Sequence, residues 1–388
     1  MAQKSSRLLS LDILRGITIA GMILVNNPGS WGSVYAPLRH AQWNGLTPTD
    51  LVFPFFMFIM GISTYISLRK FEFKPEKKTI FKIVKRTVVI FAIGLGLSWL
   101  SLSFRTYHSM AGDDLPLLDR FFKAITNFEN LRILGVMQRL AITYCITALV
   151  AVLVKHKYIP ALIVITLLGY TVLLFAGNGF DFSEENIISR IDKAILGVSH
   201  MYKDKGLSID PEGLLSSLPA AAHVMIGFCC GNVLMTIKDN EKRMLQLFII
   251  GAVLTFLGFL LAYGCPINKK IWSPTFVLAT CGLASTLLAL LIWIVDVKGY
   301  KRWGVFFESF GVNPLFVYVL AGVVATCFAY TRFTYDGQIM SISGFIYKVV
   351  LQPFLGDYPA SLAYAVLFVT MIWLVGNILY KKQIYIKI

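Results

Sequence analysis

Ten long runs of Leu, Ile, Val and Phe, separated by short polar or charged stretches, leave this chain few ways to fold. About 20 helical residues cross the hydrocarbon core of a bilayer, so apolar runs of this length are candidate membrane spans. In lipid the backbone satisfies itself only as a helix or a closed barrel. These runs are continuous rather than alternating, which excludes the barrel. The spans are expected at 9–27, 49–69, 84–104, 131–154, 158–177, 214–237, 244–264, 274–296, 306–330 and 360–380. Residues 341–353 are apolar but too short to cross, and read as an interfacial or re-entrant helix. The fold class is therefore all-α, a polytopic transmembrane bundle forming a single domain over 1–388.

Only 15% of residues are charged, against about a quarter in soluble domains, and mean hydropathy is +0.69. The net charge of +15 would suggest nucleic acid on a soluble protein. Here the basic residues lie between the apolar runs, so they set orientation and no nucleic-acid partner is expected. With the N-terminus inside, the inner segments carry 21 Lys and Arg and the outer ones 12. Both termini are then cytoplasmic. The inner set includes Lys4, Arg7 and Lys387; the first two form a short basic leader, so no cleavable signal is required. Three outer segments are long, 28–48, 105–130 and 178–213, which suggests an active face pointing outward. The six cysteines show no metal spacing and read as small core residues, so no metal is expected.

Chemistry concentrates in residues 10–61. Asp12 and Arg15 lie three apart on the first span, either as an ion pair that orients the helix or as a contact to a charged cofactor group. The following outer loop holds His40 among Trp31, Tyr35, Trp43 and Asn44. A neutral imidazole can take a proton from an amine or attack an acyl group itself. Aromatic faces suit sugar rings, though Trp and Tyr also belong at membrane interfaces. Thr47-Pro48-Thr49-Asp50 reads as a helix start, with Thr47 as cap, Pro48 at the first helical position and Asp50 as the capping acid. Asp50 can also orient His40, and the two roles are compatible.

Farther along, Arg139 follows Gln138 inside a span. A charge at mid-bilayer costs about 2.5–3.5 kcal/mol, so it should face the bundle interior with a partner. That partner is either an anionic ligand such as a coenzyme phosphate or a structural carboxylate. His223 reads as a hydrogen-bonded core histidine. Asn313-Pro314 interrupts the ninth span, as a cavity-lining break or a simple kink.

The segment RHAQWNGLTPTDLVFPFFMFIMG, with LDILRG and VNN before it, resembles the heparan-α-glucosaminide N-acetyltransferase family. Weaker similarity continues through GVMQRLAITY, DPEGLLSSLPA, INKKIWSPTFVL and GVNPLFVYV. The resemblance implies the helical bundle of the transmembrane acyltransferases, cytosolic acetyl-CoA as donor and the amine of a terminal glucosamine on the far side as acceptor. It implies a homodimer. His40 matches the family's catalytic histidine and Asn26 the Asn that ends the first helix. Asn26 or Asn44 can donate to a developing oxyanion.

The expected site therefore has His40, Asn26 and Asp50 as catalytic residues and Trp31, Trp43 and Asn44 on the sugar. Arg15, Gln138, Arg139 and Asn313 are expected on the coenzyme. The pantetheine arm would thread the bundle, with the nucleotide near the inner basic segments. The loop from Asn26 to His40 is longer than in the family pattern and carries Pro28 and Pro37, which leaves acceptor specificity open. The chain shows neither a lumenal N-terminal region nor an Asn-x-Ser/Thr sequon, an expectation that favours a bacterial cytoplasmic membrane over a lysosome. Rival readings are an O-acyltransferase for a cell-surface glycan and a transporter for a sugar or lipid-linked intermediate.

Overall fold

The computed structural model describes residues 8–110 and 115–386, so Lys4, Arg7 and Lys387 lie outside the described residues. The long helices are α1 (Leu9–Asn26), α2 (Pro48–Arg69), α3 (Lys77–Ser109), α5 (Val136–Leu153) and α6 (Ile159–Ala176). They continue with α8 (Ser217–Thr236), α9 (Asn240–Leu261) and α10 (Pro274–Val297), which ends in a π-helical turn. Helices α11 (Val305–Val312) and α12 (Pro314–Tyr330) follow, and α14 (Asp357–Lys381) closes the bundle. Nine helices among the described residues are long and apolar enough to cross a membrane, or ten with the bent pair around Asn313 taken as one span.

Three expectations need adjustment. The span expected at 306–330 is two helices, with a 76° bend between the segments that meet at Asn313. Pro314 has no N–H to continue the helix, and it begins α12 afresh. Helix α3 runs for 33 residues, well beyond the expected 84–104, and at its N-terminal end Lys77, Lys78, Lys82 and Lys85 are good helix formers. Two of the long loops carry amphipathic helices, α4 (Leu117–Thr126) and α7 (Ile187–Leu196). A two-stranded hairpin, β1 (Arg332–Tyr335) and β2 (Gln338–Ser341), precedes the short apolar helix α13 (Ile342–Leu355).

Lipid gives apolar helices no hydrophobic reason to associate, so close backbone approach and interhelical bonds must hold them. Small residues provide the approach. A Cβ on Gly61 of α2 would lie 2.1 Å from the Val224 carbonyl oxygen of α8, and one on Gly227 would lie 2.1 Å from that of Phe58. The α1–α11 crossing is as tight, with Gly16 against Phe307 and Gly311 against Asp12. His223 donates from Nε2 to the Pro54 carbonyl at 2.8 Å, a hydrogen-bonded core histidine as expected. Helices α1, α2 and α8 are about two-thirds buried or more, whereas α9 is 17% buried and presents Phe248, Phe256 and Leu260 outward. The central helices are the ones that carry the candidate site.

Candidate active site

His40 sits just ahead of α2, and the cap of α2 positions it. Asp50 is the third residue of that helix, and its Oδ2 accepts the backbone N–H of Thr47 at 3.2 Å and of Ala41 at 3.0 Å. The Thr47 hydroxyl lies 2.9 Å from the same oxygen and 2.7 Å from the Arg39 carbonyl. The other oxygen, Oδ1, lies 2.6 Å from His40 Nδ1. Capping and histidine orientation are thus done by one carboxylate through its two oxygens. Asp50 is 1% exposed and the His40 side chain 45%, so the acid is dry while the ring can be reached. With Nδ1–H directed at Asp50, the lone pair of a neutral ring lies on Nε2, which has no protein partner among the described residues.

Three segments converge around this pair. Trp43 donates from Nε1 to the Phe180 carbonyl at 2.7 Å and packs against Phe182 at 5.0 Å. Asn44 accepts from Asn268 Nδ2 at 3.1 Å. Lys270 reaches the Gln42 carbonyl and Asp204. Lys269 places its ammonium 3.1 Å from His40 Nδ1 and 3.4 Å from Asp50 Oδ1. Burial pushes the Lys269 ammonium down, against the pull of Asp50. Trp31 is exposed, with no aromatic partner among the described residues. Sequence reasoning misses Lys269 and Lys270, which read there only as two outer charges; the motif INKKIWSPTFVL that carries them is the signal that could have found them.

The residues expected on the coenzyme separate into two groups. Arg15 pairs with Asp12 at 2.9 Å and reaches Ser63 at 3.0 Å and the Gly311 carbonyl at 3.2 Å. It lines a cavity of about 280 Å³, together with Arg86, Ser63, Pro314 and Ile386. Arg86 stacks on Tyr144 at 4.6 Å. In sequence nothing distinguishes it among the eight basic residues of the 69–86 segment. Asn313 stands at the break beside this cavity, but its side chain is bound to the Ile384 carbonyl and the Ile386 N–H, both at 2.8 Å.

Arg139 and Gln138 are elsewhere. Helix α5 begins at Val136, so Arg139 lies one turn from its end rather than mid-span. It is fully buried, bound to the Gly213 carbonyl and Ser216 Oγ, and lies 5.0 Å from the Trp272 ring. Gln138 is buried against Gly94 and Gly135.

Two further cavities share walls in series with the arginine-lined one. A constriction of about 10 Å³ shares Phe56, Leu140, Pro314 and Leu315 with it. A chamber of about 270 Å³ shares Met22 and Tyr318 with the constriction, and its wall includes Asn26. The three cavities follow α1 and α12 from Arg15 toward the end of α1.

A family model described as "Heparan-alpha-glucosaminide N-acetyltransferase, catalytic" matches residues 7–265. The chain belongs to the heparan-alpha-glucosaminide N-acetyltransferase family. Relatives of that name from Mus musculus and Homo sapiens are 26% and 27% identical, over 99% and 98% of this chain. Those alignments cover 61% and 60% of the relatives, so the chain spans about three fifths of the length of the curated relatives it matches. Within this N-acetyltransferase family chain, the matched segment holds His40, Asp50, Arg15 and Arg86 and stops four residues before Lys269.

Proposed function

We propose that this chain moves an acetyl group from cytosolic acetyl-CoA to the amine of a glucosamine-type sugar on the opposite side of the membrane. The observation that carries the reading is the His40–Asp50 pair: a reachable imidazole held by a dry carboxylate through Nδ1 at 2.6 Å. Such a ring is suited to proton transfer or attack at Nε2. The Lys/Arg bias of the sequence would put the Arg15–Arg86 cavity on the cytosolic side. Planar guanidinium groups suit phosphate oxygens, so this cavity fits the nucleotide end of the coenzyme. The narrow, mostly apolar cavity series suits the pantetheine arm.

As a base, His40 Nε2 takes a proton from the attacking amine nitrogen. The new C–N bond forms, the C–S bond breaks, and the proton passes to the departing thiolate. As a nucleophile, Nε2 bonds to the acetyl carbon first and the thiolate leaves; the amine then attacks that carbon, the Nε2–C bond breaks, and the amine proton passes to the freed Nε2. Asn26 is proposed as an oxyanion donor. Trp43 and Asn44 are proposed to face the sugar. Rapid-quench detection of acetyl-protein from labelled donor without acceptor separates the two routes.

The cavity series also suits a transporter. The deciding experiment gives purified protein acetyl-CoA and a panel of glucosamine-type amines and measures free CoA. Release with some amines is expected. Silence across the panel, with sugar flux persisting in His40→Ala, would replace this reading with transport.

A further inference from the structure

We infer that Lys269 is a positioning residue that sets the charge and tautomer of His40. The inference rests on the acetyl-transfer reading of His40, but its main readout does not. His40 Nδ1 has two neighbours within hydrogen-bond distance: Asp50 Oδ1 at 2.6 Å and Lys269 Nζ at 3.1 Å. A ring nitrogen carries one proton or one lone pair, so it cannot donate to the carboxylate and accept from the ammonium at once. If Nδ1 donates to Asp50, a neutral ring has its lone pair on Nε2, the reactive arrangement. If Lys269 donates to Nδ1, the ring proton moves to Nε2 and that atom becomes a donor, silent as base or nucleophile. Lys269 also lies 3.4 Å from Asp50 Oδ1, and in the reactive arrangement this carboxylate is its partner.

The ammonium has a second effect. A protonated or Nε2-acetylated His40 is a cation, and Lys269 stands about one hydrogen-bond length from its other nitrogen. Like charges this close disfavour the cationic ring. An acetyl group on Nε2 would then transfer more easily. Asp50 opposes this effect, so the pair balances the ring between a carboxylate that favours its cation and an ammonium that does not.

The other charges nearby each have partners of their own. From the 39–47 loop, Arg39 turns its guanidinium away to the Val34 carbonyl at 2.7 Å. Lys270, next along the chain, is held by Asp204 and the Gln42 carbonyl. Glu212, from the loop before α8, is bound by Arg132 at 2.6 Å. Lys269 itself is held out of water, with its side chain 15% exposed.

The test follows the His40 ring in full-length detergent-solubilised protein labelled with 13C-histidine, the resonance being assigned with His40→Gln. In Lys269→Met the ring titrates about one pH unit higher than in the wild type, because a neighbouring cation has gone. Lys269→Arg keeps the charge and the wild-type titration. The acid limb of kcat/KM moves up by the same amount in Lys269→Met only, costing about fivefold at the wild-type midpoint and approaching tenfold well below it. If Lys269→Met fails to fold, Lys269→Gln takes its place. A ring titration unchanged in the neutral variant, or shifted equally in Lys269→Arg, overturns the inference. If no amine accepts an acetyl group, the ring titration still decides for or against Lys269. Failure of the acetyl-transfer reading is therefore distinguishable from failure of this one.

Discussion

The two ends of the bundle use charge in opposite ways. At the His40 end the charges beside the ring are closed onto partners, Arg132 on Asp210 and Glu212 and Lys270 on Asp204, while Arg139 is packed in the interior and held through one nitrogen by Gly213 and Ser216. At the other end Arg15 and Arg86 border an open volume of about 280 Å³. One end is built to hold a ring still, and the other leaves room for something anionic. A charge within a span is expensive in either place. What separates a structural arginine from a ligand-facing one is the empty space beside it. The comparison predicts that variants at the first end alter the chemical step or stability, while variants at the second alter coenzyme affinity.

The largest effect is expected from His40→Ala. General acid–base groups contribute about 10²–10⁴-fold, so kcat should fall by about 10³ or more while acetyl-CoA still binds in calorimetry. Asp50→Asn should cost about 10²-fold, because an amide bonded to Nδ1 no longer favours the reactive tautomer. If His40→Ala lost coenzyme binding as well, the two ends would not be separable. Next in size is Arg86→Met, expected to raise KM for acetyl-CoA about tenfold with kcat little changed, since charge-assisted contacts to phosphate are worth about 1.5–3 kcal/mol. Arg139→Met is the control, expected to leave that KM within about twofold, because Arg139 lines none of these three cavities. A KM rise in Arg139→Met like that of Arg86→Met would erase the distinction.

The sequence made the helical class and most span positions legible because apolar length and continuity are one-dimensional signals. The Thr47–Asp50 cap was legible for a similar reason: its partners are three residues apart. His40 stood out only because its loop carries a recognisable motif; the 2.6 Å contact to Asp50 was one of two compatible readings. The remainder depended on tertiary proximity. Lys269 is 229 residues from His40, and nothing in a run of lysines says which of two neighbours will face the ring. Sequence reading put Arg139, set within an apolar run, ahead of Arg86, one of eight inner basic residues. The cavity beside one and the Gly213 loop around the other are products of packing. The 76° bend at Asn313 was visible only as a proline, which allows a kink without fixing its size.

The smallest expected effect probes how tightly the His40 end is closed. Asp192 of α7 is fully buried, and its Oδ1 accepts the N–H groups of Leu214 at 3.0 Å and Leu215 at 3.2 Å. Its Oδ2 has no hydrogen-bond partner among the described residues and sits against Gly213, on the same loop that receives Arg139. Burial pushes its carboxyl up to about 6 from 3.8, outweighing those two backbone bonds. A folded value above the unfolded one means the folded protein holds more protons between those two pH values. Stability therefore falls as pH rises through that window, and the penalty is fully present above about 6. Wild-type protein should melt higher at pH 5 than at pH 7.5 by about 2 °C from this group alone, for a contribution of about 1 kcal/mol. Asp192→Asn keeps an acceptor for Leu214 and Leu215 and carries no charge, so that part of the difference should vanish. The informative quantity is the change in slope between the two proteins, since every other titrating group is common to both. An unchanged slope in Asp192→Asn would mean that water reaches Oδ2, and that the His40 end is less closed than its hydrogen bonds imply.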